Sequence, residues 1–201
     1  SFGIEYDGHY WHSKKDKKYH QDKQNQFKEN NINIIQIWDY EWMNTEKRDI
    51  LLSMIKNKLG EHEKVLRASK CSILEVSSKK SRQFLEENHV QGYTPASLRY
   101  ALYYEGDIVA LMTFAKPRFT KKYDWEMIRF AVKKNHKVHG GASRLFKYFL
   151  KNNSGKVISY CDYRYGTGKM YESLGFNYSH ITDPNYVWTD GFSILKRYQT
   201  Q

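Results

Sequence analysis

Two cysteines, Cys71 and Cys161, in 201 residues provide neither a disulfide framework nor a cluster of zinc ligands. So few thiols fit a reducing cytosol. No apolar run approaches the about 20 residues of a membrane-spanning helix, and mean hydropathy is −0.82. The sequence holds no internal repeat and no low-complexity tract. It opens on Ser1, without the pattern of a secretory leader and almost inside a strand, so it is expected to be trimmed from something longer. Positive charge and aromatic rings are what it has in quantity. The net charge is +11, with 17 Tyr, 10 Phe and 5 Trp. Residues 1–70 hold 13 Lys+Arg against 11 Asp+Glu, and residues 71–201 hold 20 against 11, so +9 of the net charge lies in the second part. Cations interleaved with rings point to nucleic acid or another polyanion as partner; a basic protein with solvated lysines is the plainer reading.

The most informative stretch is residues 2–13, FGIEYDGHYWHS. Residues two apart share a face of a strand, so Glu5 and Asp7 are expected to point the same way at its end, close enough to share a hard divalent cation. Gly8 turns the chain, and Tyr10, Trp11 and His12 follow. Carboxylates, an imidazole and stacking rings suit metal-assisted phosphodiester cleavage. The competing reading is an edge strand with solvated acids and a core tryptophan. Residues 13–31 read as a basic loop entering a weak helix, with His20 and Asp22 near its start, where an acid commonly serves the cap and the dipole. Residues 32–38, INIIQIW, read as a strand buried on both faces, followed by a helix from residue 44 or 45 to Leu59, stopped by Gly60.

Residues 61–70 read as a charged connector. Beyond it, strands are expected at 71–76, 98–104, 108–114, 125–132 and 156–162, the second and third forming a hairpin around Glu105–Asp107. Helices are expected at 78–88, 144–152 and 169–174, and a terminal hairpin at 186–188 and 191–195. The result is an α/β protein: an incomplete α/β core at 1–60, then an α/β domain at 71–201 with a mixed, mostly antiparallel sheet.

GIEYDGHYWHS, KKYHQDK and NIIQIWDYEW together resemble the Vsr-like, EDxHD branch of the PD-(D/E)XK nucleases, which includes phage homing endonucleases and very-short-patch-repair enzymes. The resemblance covers about the first 60 residues and implies a Mg²⁺-dependent DNA endonuclease. It implies catalytic roles for Asp7, His12, His20 and Asp22 and metal ligation by Glu5 and Asp7. In the repair enzymes the residue before the glycine is a histidine, where Asp7 stands here. Tyr10 and Trp11 match aromatics that wedge between base pairs, and Lys14, Lys15 and Lys23 would contact DNA. The family's principal metal-binding aspartate lies on a strand before the one that opens this sequence. The 201 residues alone are therefore expected to cleave DNA poorly.

YYEGDIVALMTF, WEMIRFAV with KVHGGASRLFKYFL, and SYCDYRYGTGKMYESLGF resemble the GNAT acyl-transferase superfamily, and within it the Mom-type DNA-modification proteins. This resemblance implies acyl-CoA bound at a helix N-terminus by Lys137, Gly140, Gly141 and Ala142, with Tyr171 protonating the leaving thiolate and Arg129 and Asp162 taking part in transfer. The plainer reading has the two glycines serving a tight turn, Asp162 capping another and Tyr171 in the core.

The combined expectation is a phage-encoded endonuclease acting on double-stranded DNA in the cytoplasm of a bacterial host. Its basic GNAT-like domain would hold DNA by a salt-sensitive, sequence-independent affinity. An acyl-CoA-dependent transferase acting on DNA or protein, and a non-catalytic DNA-binding protein, are the alternatives.

Overall fold

The computed structural model describes residues 2–8, 10, 18–183, 188–189 and 194–195. Trp11, His12, Lys14 and Lys15 lie outside them. The chain forms two compact units. One comprises residues 1–48, 161–169 and 177–201; the other comprises 49–160 and 170–176. They are not the consecutive stretches expected from the sequence. Residues 161–169 group with the N-terminal unit, because Arg164 and Tyr165 are bonded into it.

In the N-terminal unit, strand β1 (Phe2–Asp7) leads to helix α1 (Tyr19–Glu29) and strand β2 (Asn33–Trp38). β1 and β2 pair in parallel, Phe2 opposite Asn33 through Asp7 opposite Trp38. Parallel neighbours need a crossover, and α1 supplies it. Ile35 and Ile37 of the β-branched run are buried. Helix α2 (Asp39–Met43) follows, and helix α3 (Thr45–Leu59) carries the chain into the second unit. α3 ends at Gly60, whose φ of +83° is the left-handed conformation that a terminating glycine adopts without strain.

The second unit corrects the expected connector. Residues 61–70 contain strand β3 (Lys64–Arg67) and a 3₁₀ turn (Ala68–Lys70). Strand β4 (Ser72–Glu75), helix α4 (Ser78–Asn88), strands β5 (Leu98–Tyr104), β6 (Asp107–Ala115), β7 (Trp125–Val132) and β8 (His136–His139), helix α5 (Gly141–Asn152), strand β9 (Val157–Ser159) and helix α6 (Lys169–Ser173) follow. β9 is shorter than expected and stops before Tyr160, Cys161 and Asp162. The sheet runs β4-β5-β6-β7-β9, antiparallel except for the last pair. β3 pairs in parallel with β8. The fold is α/β with a mixed, mostly antiparallel five-stranded sheet. Glu105 and Gly106 both have positive φ, +51° and +86°, the signature of a two-residue hairpin turn whose twist matches its strands. Alternation divides the core. Tyr100, Leu102, Met112 and Phe114 pack with Leu145, Phe146 and Phe149 of α5, whereas Ala101, Leu111 and Ala131 pack with Phe84 and Leu85 of α4. The Phe114 and Phe149 rings stack at 3.7 Å between centroids. A short antiparallel pair, β10 (Trp188–Thr189) and β11 (Ile194–Leu195), lies within the expected terminal hairpin; residues 186, 187 and 191–193 fall outside the described ones. Among the described residues no helix is long and apolar enough to cross a membrane.

Candidate active site

β1 is built inside out. Its apolar residues Ile4 and Tyr6 are each 53% exposed, while Asp7 is 1% exposed and Glu5 is half-buried. A strand normally turns its acids to water and its isoleucine inward. The inversion removes the reading of Glu5 and Asp7 as solvated edge acids. A local rule broken in this way is expected where function, rather than folding, selects the residues.

Glu5 meets side chains from α1 and β2, and Asp7 meets one from α1. Lys23 of α1 forms an ion pair with Glu5. Gln36 of β2 donates from Nε2 to Glu5 Oε2 at 3.2 Å and lies 3.3 Å from His20 Nδ1. His20 Nδ1 is 3.5 Å from Asp7 Oδ2. The His20 ring stands edge-on to Trp38 at 5.0 Å. His20 and Lys23 are three apart on α1 and so share one helical face. Burial, and then the negative charge of Glu5, push the Asp7 carboxyl up to about 6, with Lys23 and Arg164 pulling it back. The Glu5 bond and charge raise Lys23.

The structure thus gathers Glu5, Asp7, His20 and Lys23. Asp22 is exposed in the first turn of α1, and no hydrogen bond or ion pair joins it to the cluster among the described residues. That position suits the helix dipole rather than proton transfer. Tyr10 is exposed. Gln36 is the residue that sequence reasoning missed. At 2% exposure it is the buried polar member of the run NIIQIW, and it also accepts from Gln24 at 2.9 Å. An amide inside a β-branched run needs buried partners, and that was the available signal.

Beside the cluster, α2 supplies Glu41, which is 5% exposed. Both its oxygens lie 3.1 Å from Arg164 Nη1 and 2.9 Å from the Tyr165 hydroxyl, and Trp38 N–H donates to it at 3.2 Å. Arg164 also grips Asp162, Nη2 to Oδ2 at 3.0 Å. The Arg164 backbone carbonyl accepts from the Gln36 N–H at 3.1 Å. Asp162, expected to act in acyl transfer, is engaged by Arg164 inside the N-terminal unit.

The remaining transferase residues belong to the second unit. Gly140 caps α5 with φ +73°, and Gly141 begins the helix against Val138. Ala142 packs on the core, and Lys137 is exposed on β8. Arg67, His139, Ser143, Arg144 and Lys147 line an open concavity of about 560 Å³ around that helix start. Arg129 donates to the Gly92 and Ile128 carbonyls. The Tyr171 hydroxyl donates to the Tyr160 carbonyl at 3.3 Å.

Among the described residues, no group of three or more His, Cys, Asp and Glu side chains is placed to hold a metal ion. The Glu5–Asp7 pair nevertheless has the donor chemistry for Mg²⁺, which is held by one or two carboxylates and takes its other oxygens from water and phosphate. A scan of protein-family models found none that matches the chain, and searches of curated proteins and solved structures likewise returned no match.

Proposed function

We propose that this chain carries the acidic centre of a metal-dependent DNA endonuclease of the phage homing type, with the basic second unit holding double-stranded DNA. The observation that carries the reading is the inverted burial of β1: two carboxylates turned inward, one held up to about 6 by burial and then by its acidic neighbour, with a lysine and a histidine from one helical face beside them. Glu5 and Asp7 would hold Mg²⁺. Bound there, the cation would lower the pKa of a water and neutralise charge on the leaving oxygen. Lys23 holds Glu5 in place and offers its ammonium to a phosphate oxygen. His20, next to Asp7, is the group to pass a proton near neutral pH. Gln36 fixes Glu5 and His20 relative to each other. The resemblance to Vsr-like nucleases in GIEYDGHYWHS agrees with this assignment.

The experiment is nicking of supercoiled plasmid by the full-length gene product with Mg²⁺ or Mn²⁺, comparing wild type with Asp7→Asn and Glu5→Gln. Nicking should be lost in both variants while the circular dichroism spectrum is kept. Nicking that survives both substitutions removes the assignment.

The second reading, acyl-CoA-dependent transfer, is favoured by one observation: the basic concavity at the start of α5 behind two glycines. A thermal shift with acetyl-CoA that disappears in Gly140→Glu would select it. Asp162 speaks against it, since its carboxylate is engaged by Arg164.

A further inference from the structure

The most exposed large hydrophobic side chain among the described residues is Phe119, at 77%. It lies in the loop between β6 and β7, KPRFTKKYD, residues 116–124. A single exposed ring is ordinary, but this one is held out by a built support. Arg118 donates to Glu126 of β7 twice, from its backbone N–H at 3.1 Å and from Nη2 at 2.7 Å, and Glu126 is buried. That contact commits a buried carboxylate to fixing the residue next to Phe119, and it neutralises the Arg118 charge. The Phe119 ring stands edge-on to Tyr160, itself exposed, at 6.0 Å between centroids. The far end of the loop is closed by a reciprocal pair: Asp124 N–H to the Lys156 carbonyl at 2.9 Å, and Lys156 N–H to Asp124 Oδ2 at 2.7 Å. Lys116, Lys121 and Lys122 of the same loop are exposed, as is Lys156 at its far end; Lys116 lies over the Trp125 ring at 5.1 Å, Arg118 lies over the Phe119 ring at 5.5 Å, and the loop's own acid is Asp124.

We propose that this loop docks on DNA, with Phe119 stacking on a base at a distorted or unpaired position and the lysines contacting the flanking phosphates. A flat ring between cations matches a nucleic acid, which presents base faces at a fixed distance from phosphates, and base–aromatic stacking tolerates any sequence. Inserting an apolar wedge at a base step is a common way to hold bent DNA. An anionic membrane is the other surface for cations and a ring, but interfacial insertion uses a broad apolar face. Here Phe119 stands among Pro117, Thr120 and lysines. The anchored loop has little ordering left to undergo on binding, which favours affinity. The proposal rests on DNA as the partner named above, but not on the Glu5–Asp7 chemistry.

The test is DNA binding by the whole chain, followed by fluorescence anisotropy on a duplex with a 2-aminopurine opposite a mismatch. Phe119→Ala should weaken binding roughly tenfold and abolish quenching of the 2-aminopurine, with the slope of affinity against salt unchanged; Phe119→Trp should restore both. Lys121→Ala with Lys122→Ala should lower that slope by about 1.8, as for two lost phosphate contacts. All the substituted residues are exposed, and an unchanged melting temperature verifies the fold. Wild-type affinity and quenching in Phe119→Ala overturn the proposal while leaving DNA as partner. Phe119-dependent binding to phosphatidylserine vesicles, with DNA binding unaffected, overturns it in favour of a membrane. Absence of any DNA binding by wild type removes the proposal together with the partner it rests on. Loss of nicking in Asp7→Asn bears on the nuclease reading alone.

Discussion

Glu41 and Arg164, 123 positions apart, are joined through both carboxylate oxygens at 3.1 Å inside the N-terminal unit. The pair ties residues 161–169 to the strand that supports the acidic centre, because Trp38 N–H and the Tyr165 hydroxyl end on the same carboxylate. Burial and the Glu41 charge raise Tyr165, so its hydroxyl stays protonated and donates. The two partners are not equivalent. Arg164→Met leaves a buried carboxylate without its cation, which costs about 3 kcal/mol. Glu41→Gln keeps an acceptor in place and leaves Arg164 on Asp162, and should cost about 1 kcal/mol. Urea unfolding of the two variants is the measurement. Equal losses, or the reverse order, would show that Arg164 does not compensate a buried charge.

Asp7 sets a pH dependence of opposite sign to that of most carboxylates. Its folded value, about 6, lies above the ordinary 3.8 because burial and Glu5 disfavour the charge. The folded state therefore binds the proton more tightly than the unfolded chain. The stability from that proton is fully present below about 3.8 and is lost as pH rises through about 6. Two units correspond to about 3 kcal/mol, or several degrees of melting temperature in a chain of this size. Asp7→Asn keeps the shape without the charge. Its melting temperature should exceed wild type at pH 8 and converge with it near pH 4. Parallel curves over that range would remove the claim that Asp7 titrates late.

The sequence shows local geometry more readily than long-range partners. The β5–β6 hairpin is legible because EGD places two residues with positive φ between alternating strands. α3 is legible from its spacing and its terminal glycine. Strand β3 is not, because among Lys64–Arg67 only Leu66 is buried and the partner strand is His136–His139. At the candidate site, two-residue periodicity puts Glu5 and Asp7 on one face. It says nothing of which face is buried, and the hydrophobicity of Ile4 and Tyr6 points the wrong way. Lys23 and His20 are legible as a helical pair. The attachment of Arg164 to Glu41 is not, since no local pattern couples residues so far apart.

The two glycines before α5 restrict substitution for different reasons. Gly140 needs φ +73°, and an added Cβ would find open space, with Ala68 Cβ nearest at 4.0 Å. Gly140→Ala should therefore cost only backbone strain, about 1 kcal/mol, and Gly140→Asn less, because asparagine tolerates the left-handed region. Gly141 has no such φ, but its Cβ would sit 3.3 Å from Val138 Cγ1 and 3.7 Å from Leu102 Cδ1. Gly141→Ala should cost about 1 kcal/mol by overpacking, recovered in part by Val138→Ala. A double-mutant cycle in urea reads that coupling. Additive losses would place the strain elsewhere.

Lys23 holds the acid pair together, and its removal separates the two carboxylates in a measurable way. Its ammonium neutralises Glu5 and lowers Asp7 by its charge. In Lys23→Met the positive charge that lowers Asp7 is gone. Asp7 should then titrate further above 6, because a like charge beside a buried carboxyl favours the neutral form. ¹³C NMR of the side-chain carboxyls follows this directly. A divalent cation between the acids acts in the opposite sense. Millimolar Mg²⁺ should move the Asp7 midpoint downward in wild type, since metal binding competes with the proton. In Glu5→Gln the Mg²⁺ effect should shrink, because half the donor pair is lost. An Asp7 midpoint unmoved by Mg²⁺ or Mn²⁺ would leave the pair as a proton-sharing site and take the metal out of the proposed chemistry.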